Sequence, residues 1–120
     1  MNIAQRQVGN VTIIDLRGKI TSGDGDDTLR DAINRAIDSG QARLILNMAE
    51  VPYVDSAGLG ELVRSYVALN KKAGRLKLLD LTSRVQDLLT TTKLVTVFET
   101  FDSEDEAVDS FGSDPRRAAT

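Results

Sequence analysis

The chain has 120 residues, of which 41% are apolar and 28% are charged, and its formal net charge is −3. It contains no histidine and no cysteine, which excludes zinc sites built on those residues, catalytic relays through histidine, and disulfides. The acidic balance argues against direct nucleic-acid binding. No secretory leader follows Met1, and no apolar run approaches the ~18 residues that a membrane span needs, so we expect a cytoplasmic protein without membrane insertion.

Two segments of the chain carry charge of a single sign. Residues 62–79 contain basic residues and no acid, whereas residues 98–111 contain acids and no base. Charge runs of this kind are typical of solvated faces, which is how we interpret both segments. Whether the basic run, from Arg64 to Lys77, contacts a partner is left open.

The first elements predict a β-hairpin. Residues 3–8 and 11–17 are separated by Gly9-Asn10, a pair that suits a two-residue turn with positive φ. Alternation along the second strand places Val11 and Ile13 on one face and Ile14 and Leu16 on the other.

A helix is predicted after a loop rich in glycine and aspartate at 18–27. Asp26 or Asp27 is placed to cap it, and Gly40 stands just past its end. Its apolar residues follow the helical spacing: Leu29, Ala32, Ile33, Ala36 and Ile37.

A buried strand and a second helix follow. The continuously apolar segment 44–46 predicts a strand that is covered on both faces, and Pro52 prevents its ladder from continuing. A helix is predicted over 57–73, with Gly74 after it. Its predicted buried stripe consists of Leu59, Leu62, Val63, Tyr66 and Val67.

The remaining elements alternate in the same way. We expect a strand over 76–81, a helix opened by a capping box at Ser83, a strand over 95–101 and a helix opened by a capping box at Ser103. The order ββαβαβαβα predicts an α/β domain whose sheet is mostly parallel, with an opening antiparallel hairpin. The domain is expected to span 1–112, followed by a flexible tail over 113–120.

Two segments partly match known cofactor-site patterns but lack residues that those sites need. The acidic loop that starts at Asp24 lacks the glycine and the glutamate that a calcium loop needs at its sixth and twelfth positions. Gly58-Leu59-Gly60 opens a helix after a strand, but neither a following Gly-Lys-Ser/Thr nor a third Rossmann glycine is present. We therefore predict no metal, no cofactor and no catalytic activity.

The step from strand to helix at Asp55-Ser56 is the segment with the clearest chemical interest. Either side chain could act as the N-cap of the helix by accepting from a free backbone N–H of the first turn. Alternatively, Ser56 could display its hydroxyl at the helix start for modification.

The segment from Asp55 to Gly60, which reads Asp-Ser-Ala-Gly-Leu-Gly, resembles the signature of the STAS domain (sulfate transporter and anti-sigma factor antagonist). Weaker similarity extends over residues 3–111, through the strand-end glycine at Gly18, the glycine before a strand at Gly74, and the segment from Leu88 to Phe98. At Thr21 the sequence departs from the acidic residue that many antagonists of this family carry.

The resemblance implies an anti-sigma factor antagonist. In such a protein the unmodified form binds an anti-sigma factor of the GHKL serine kinase class. Phosphorylation of the serine after the aspartate, here Ser56, releases that partner, and a PP2C-type phosphatase resets the switch. The partner-binding residues implied by position are Thr21, Ser22, Asp24, Asp55, Ser56, Ala57, Gly58, Leu59 and Gly60.

Two other interpretations remain open. The chain could be a passive STAS subunit of a transport, lipid-trafficking or sensory complex, in which Ser56 only caps its helix. It could also be a nucleotide-binding module or a small enzyme that uses the Gly-Leu-Gly turn. The sequence leaves open the sigma factor, the signal and the oligomeric state.

Overall fold

The computed structural model describes residues 1–112, which form an alternating α/β domain. Five strands and four helices follow one another in the predicted order: β1 (Asn2–Val8), β2 (Val11–Arg17), α1 (Asp26–Asp38), β3 (Arg43–Glu50), α2 (Ser56–Lys71), β4 (Arg75–Leu79), α3 (Ser83–Thr91), β5 (Glu99–Phe101) and α4 (Glu104–Gly112). The predicted tail over 113–120 lies outside the described residues.

The strands lie in the sheet in the same order as in the chain, β1-β2-β3-β4-β5. β1 and β2 pair antiparallel, and the other pairs are parallel, which confirms the predicted mixed sheet. Because β2 and β3 run in the same direction, the loops that follow them leave from the same edge of the sheet. That edge brings the β2–α1 loop and the start of α2 together.

Each face of the sheet is covered by helices. Ile14 and Leu16 of β2 belong to the larger core, which also contains apolar residues of α1, α2 and α3. Val11 and Ile13 face the other way and form a smaller core with Ala107 and Phe111 of α4. The predicted alternation along β2 is thereby confirmed.

The central strand β3 is covered on both faces. Leu44, Ile45 and Leu46 are all fully buried, as the continuous apolar run predicted. A one-residue irregularity interrupts the pairing of β2 with β3 between Asp15 and Arg17. β3 extends further along the chain than its apolar run, and it ends before Pro52.

The predicted cap of α1 was wrong. The N-cap is Gly25, with φ 102°, and no side chain caps the helix. A carboxylate oxygen of Asp26 instead accepts from the backbone N–H groups of Gly23, at 3.1 Å, and Asp27, at 2.8 Å. Gly25 occupies the cap because a Cβ there would overlap the carbonyl oxygen of Lys19.

The buried face of α2 is rotated from the predicted stripe. Val67 is 43% exposed, and Leu59, Val63 and Tyr66 are only half-buried. The buried residues of α2 are Gly58, Glu61, Leu62, Ser65 and Leu69. The face with the small residues lies inward because Gly58 and Ser65 let the helix backbone approach its neighbours closely. A prediction based on apolar residues alone does not take such small residues into account.

Two further boundaries were wrong. The segment predicted as a strand from Val95 begins instead with a short 3-10 helix (Leu94–Thr96), so only β5 remains extended. Lys93, with φ 62°, turns the chain before this helix. The N-cap of α3 is Thr82 rather than Ser83, and its Oγ1 accepts from the N–H of Val85.

Lys77, in the basic run, is buried rather than solvated. It lies on β4 beneath α4 and is only 5% exposed. Its Nζ donates to Ser110 Oγ at 2.7 Å, lies 3.5 Å from Glu99 Oε2, and sits 4.3 Å from the centre of the Phe111 ring. The interpretation of the whole basic run as a solvated face was therefore wrong at this position.

Candidate functional site at the start of α2

Ser56 lies at the sheet edge where the parallel strands end. It is the first residue of α2, and its side chain is exposed. Val54 forms an isolated parallel bridge with Ile20, so the segment before the helix is tied to the segment that follows β2. The hydroxyl therefore stands on a fixed backbone, and no other group of residues 1–112 hydrogen-bonds to it.

Asp55 is the N-cap of α2, which decides between the two caps that the sequence allowed. Its Oδ1 accepts from the N–H of Gly58 at 2.9 Å. Its Oδ2 accepts from the N–H of Ser22 at 3.0 Å, across 33 residues of chain. One carboxylate thus joins the helix start to the β2–α1 loop, and the hydroxyl of Ser56 is not needed as a cap.

The same two hydrogen bonds set the charge state of Asp55. The pKa of the Asp55 carboxyl lies below its ordinary value of 3.8. The hydrogen bond from the N–H of Gly58 is the largest cause, and the one from the N–H of Ser22 is the next. A carboxylate that accepts backbone N–H groups is favoured in its ionised form. Ser56 therefore has a fixed negative charge as its immediate neighbour at neutral pH.

Close backbone contact holds the loop and the helix together. A Cβ added to Gly58 would overlap the carbonyl oxygen of Ile20. That carbonyl oxygen also accepts from the N–H of Asp55 at 3.2 Å, while the N–H of Ile20 donates to the carbonyl oxygen of Tyr53 at 3.1 Å. Glycine at position 58 is therefore required by packing, whether or not it also contacts a partner.

The β2–α1 loop presents a tight turn beside Ser56. Thr21 and Asp24 exchange backbone hydrogen bonds of 2.8 and 3.0 Å, which leaves Ser22 and Gly23 at the tip of the turn. Gly23 has φ 75°, a conformation that glycine adopts easily. Asp24 takes part in the turn through its backbone, and its exposed side chain makes no hydrogen bond to Asp55.

The predicted partner-binding residues fall into one neighbourhood, but they differ in accessibility. Ser22, Asp24, Ser56 and Gly60 are exposed. Thr21, Asp55, Ala57 and Leu59 are half-buried, and Gly58 is buried. The surface around Ser56 is low on the side of Gly60, which has no side chain. No atom of residues 1–112 lies within 4 Å of where a Cβ on Gly60 would be.

Sequence reasoning missed an ion-pair cluster that lies one turn further along α2. Glu61 is 8% exposed and accepts from Arg30 Nε of α1 and from Arg64 Nε, both at 2.8 Å. Burial raises the pKa of Glu61, but the two guanidinium groups outweigh it and the net shift is downward. A carboxylate on the inward face of a predicted helix is the signal that could have found this cluster, since such a group needs a partner.

The arrangement favours a displayed hydroxyl over a nucleotide or metal site. The N–H of Gly58, which a phosphate-binding turn would need, is already taken by Asp55. Within residues 1–112, no three acidic side chains are grouped so that they could hold a metal ion. No helix in the described part of the chain is long and apolar enough to cross a membrane.

The chain belongs to the STAS domain family. The family profile matches residues 2–107, which includes the whole site and all five strands. The match confirms the family that the sequence motif indicated.

Named relatives include anti-sigma factor antagonists. The anti-sigma F factor antagonist of Paenibacillus polymyxa is 27% identical over 99 residues, which are 82% of this chain and 84% of that protein. An anti-sigma factor antagonist from Mycobacterium paratuberculosis has a similar structure, with a TM-score of 0.80 at 18% identity over 91% of this chain and 92% of that one. The structure of the phosphorylated form of SpoIIAA from Bacillus matches with a TM-score of 0.71 at 23% identity. The match covers 92% of this chain and 99% of that one. These structural matches establish the shared fold.

Proposed function

We propose that the protein is an anti-sigma factor antagonist that is switched by phosphorylation of Ser56. The observation that carries the proposal is the exposed Ser56 hydroxyl, which stands free at the start of α2 while Asp55 alone caps the helix. The names of the relatives support the same class of function.

Phosphorylation of Ser56 should leave the fold intact. A phosphoryl group adds about −1.5 to −2 charges and three acceptor oxygens. The start of α2 tolerates an anion because the positive end of the helix dipole and its free N–H groups lie there. Since Asp55 makes the capping bond to Gly58, modification of Ser56 does not remove that bond.

The effect of the phosphate is instead expected in the contact with the partner. The low surface around Gly60 lets another backbone approach Ser56, so a phosphate there would be buried on binding. It would lose hydration beside the ionised Asp55, and such juxtaposition of like charge costs several kcal/mol. Reversing a population from 99:1 to 1:99 requires about 5.5 kcal/mol. One dianion can supply most of that difference.

The proposed partners are those that the resemblance to antagonists of this family implies. The unmodified form binds an anti-sigma factor of the GHKL serine kinase class, which transfers the phosphoryl group to Ser56 and then dissociates. A PP2C-type phosphatase restores the hydroxyl. The protein acts in the cytoplasm as a binding module without catalysis of its own, and it controls transcription without contacting nucleic acid, in keeping with its net charge of −3.

The first prediction concerns two variants of Ser56. Ser56→Ala should bind the cognate anti-sigma factor as tightly as the wild type and should not be released by ATP, because it has no acceptor hydroxyl. Ser56→Asp should bind at least about tenfold more weakly, because it places a charge in the contact. Titration calorimetry with and without ATP measures both effects.

Circular dichroism provides the control, since both variants should keep the melting temperature of the wild type within a few degrees. Equal affinities of the two variants would contradict the switch. If intact-mass measurement finds no phosphoryl group on the wild type after incubation with the kinase and ATP, the passive STAS subunit is supported instead. A melting temperature of Ser56→Asp far below that of the wild type would indicate that Ser56 has a structural role.

A further inference from the structure

The ion-pair cluster between α1 and α2 contains more positive charge than its carboxylate needs. Glu61 is nearly buried, and its carboxylate accepts from both Arg30 and Arg64. Arg30 contacts Glu61 Oε1 through two nitrogens, Nε at 2.8 Å and Nη2 at 2.6 Å. One guanidinium group is therefore enough to balance the carboxylate, and that of Arg64 is a surplus cation.

The guanidinium group of Arg64 is also incompletely bonded. Its Nε donates to Glu61 Oε2 at 2.8 Å, but its Nη2 is buried and has no hydrogen-bond partner among residues 1–112. A buried donor without a partner costs free energy, so this group gains when it finds an acceptor. Because 39% of the Arg64 side chain is exposed, a change of rotamer can turn Nη2 towards an acceptor outside the domain.

Arg64 lies on the same side of α2 as Ser56. Ser56, Gly60 and Arg64 follow one another at intervals of four residues. Each therefore lies about 6 Å further along the helix than the one before it and about 40° around it. Side chains of a helix lean towards its N-terminus, which directs Arg64 back over Gly60. Since Gly60 has no side chain, a protein surface that covers Ser56 can extend across it to Arg64.

We propose that Arg64 determines specificity for the anti-sigma factor by binding a carboxylate side chain of that partner. This inference rests on the proposed function, because it requires a partner that docks over the start of α2. A carboxylate fits because it can accept two parallel N–H groups from one guanidinium, and Arg64 has an unused nitrogen to offer. Arg30 is less suitable, since Asp26 and Asp27 of α1 already attract it electrostatically.

Glu61 and Arg30 allow Arg64 to turn towards the partner without loss of the fold. A buried carboxylate that loses its only partner is strongly destabilising. Glu61 keeps both bonds from Arg30 when Arg64 turns away, so its charge stays balanced. The contact with the partner can therefore form and break while α1 and α2 stay packed together.

The experiment is titration calorimetry of the cognate anti-sigma factor against the wild type and two variants with the same change of charge. Arg64→Gln removes the charge but keeps a side chain that can donate to Glu61. Arg35→Gln is the matched control, because Arg35 is exposed in the last turn of α1, at the end of that helix away from Ser56. We expect Arg64→Gln to bind at least about tenfold more weakly than the wild type, and Arg35→Gln to bind within about twofold of it.

A double-mutant cycle tests the chemistry of the contact. Exposed aspartate and glutamate residues of the anti-sigma factor are replaced by alanine one at a time and titrated against each variant. We expect one of them to show a coupling of roughly tenfold with Arg64→Gln and none with Arg35→Gln. The cycle also separates a lost contact from a weakened fold, because a fold defect lowers affinity equally whichever partner residue is replaced.

The outcomes distinguish this inference from the proposed function. If Ser56→Asp weakens binding but Arg64→Gln binds like the wild type, the contact is refuted and the proposed function stands. Additive effects for every acidic residue of the partner likewise refute a carboxylate contact. If the wild type does not bind the anti-sigma factor at all, both fall.

Discussion

Asp55 combines two tasks in one carboxylate, since one oxygen caps α2 and the other holds the β2–α1 turn. Because these bonds favour the ionised form, the pKa of Asp55 is lower in the folded protein than in the unfolded chain. Its contribution to stability is therefore fully present above the ordinary pKa of about 3.8 and is lost as the pH falls through the lower folded value.

The second prediction follows from this sign. Asp55→Asn should lower the stability at neutral pH, because a neutral amide replaces the doubly bonded carboxylate. The difference in melting temperature between the wild type and Asp55→Asn should shrink as the pH falls below about 3.8, since protonation then gives the wild type a neutral group as well. Thermal denaturation at a series of pH values measures it, and a difference that does not change with pH would contradict the assignment.

Residue-scale features were predictable from the sequence only where they are local. Asp55 precedes a predicted helix, so its role as a cap was one of two possibilities in the sequence. Its bond to Ser22 spans 33 residues and depends on how two loops meet at the sheet edge. The pairing of Glu61 with Arg30 depends in the same way on how α1 packs against α2.

At the scale of elements, two glycines of α2 have opposite surroundings. The missing side chain of Gly58 makes room for the carbonyl oxygen of Ile20, whereas no atom of the described residues lies within 4 Å of a Cβ built on Gly60. The family-like motif therefore contains one glycine that packing requires and one that packing does not require.

The third prediction compares alanine at the two positions. Gly58→Ala should lower the free energy of unfolding by about 1–3 kcal/mol, because the added methyl group forces α2 away from the loop. Gly60→Ala should leave it unchanged or raise it by up to about 1 kcal/mol, because alanine is the better helix former. Urea denaturation measures both. Equal losses in the two variants would contradict the contact with Ile20.

Element types were predictable where a pattern was unambiguous. The stripe of α1 has a clear helical period, and every residue of segment 44–46 is apolar, and both predictions are confirmed. The segment 95–98 is short and mostly apolar, and such a segment fits a strand and a helical turn equally well. In the structure, Lys93 has a positive φ that turns the chain, and the segment starts with a helical turn. The rotation of α2 was not predictable from apolar residues alone, because small residues face inward.

At the scale of the whole molecule, α4 covers one face of the sheet and is attached by charged groups at both ends. Arg6 of β1 bonds to Glu104 at the start of α4 and to Asp15 of β2. Lys77 of β4 bonds to Ser110 near its end and lies against the Phe111 ring. The buried Lys77 should matter more for stability, because the Arg6 pairs are substantially exposed.

The fourth prediction tests this attachment. Lys77→Ala should lower the free energy of unfolding by roughly 2–3 kcal/mol, because it leaves a cavity beneath α4. Lys77→Met should stay within about 1–2 kcal/mol of the wild type, because an apolar chain of similar length fills the space without a buried charge.

Urea denaturation measures both variants, with Lys72→Ala as the control. Lys72 is exposed just after α2, so its loss should change the free energy by no more than about 0.5 kcal/mol. A similar result for Lys77→Ala and Lys72→Ala would show that the buried position of Lys77 is not significant for stability.

Within residues 1–112, α4 is the one helix that covers this face of the sheet, and this has a consequence for synthesis on the ribosome. β2, β3 and β4 emerge before α4, and so do α1, α2 and α3, which cover the opposite face. Until α4 emerges, Val11, Ile13 and Ile45 remain uncovered on a sheet that can otherwise assemble. A nascent chain that pauses before α4 thus exposes an apolar surface that is prone to aggregate. Synonymous codons that slow translation there should increase aggregation without changing the mature protein.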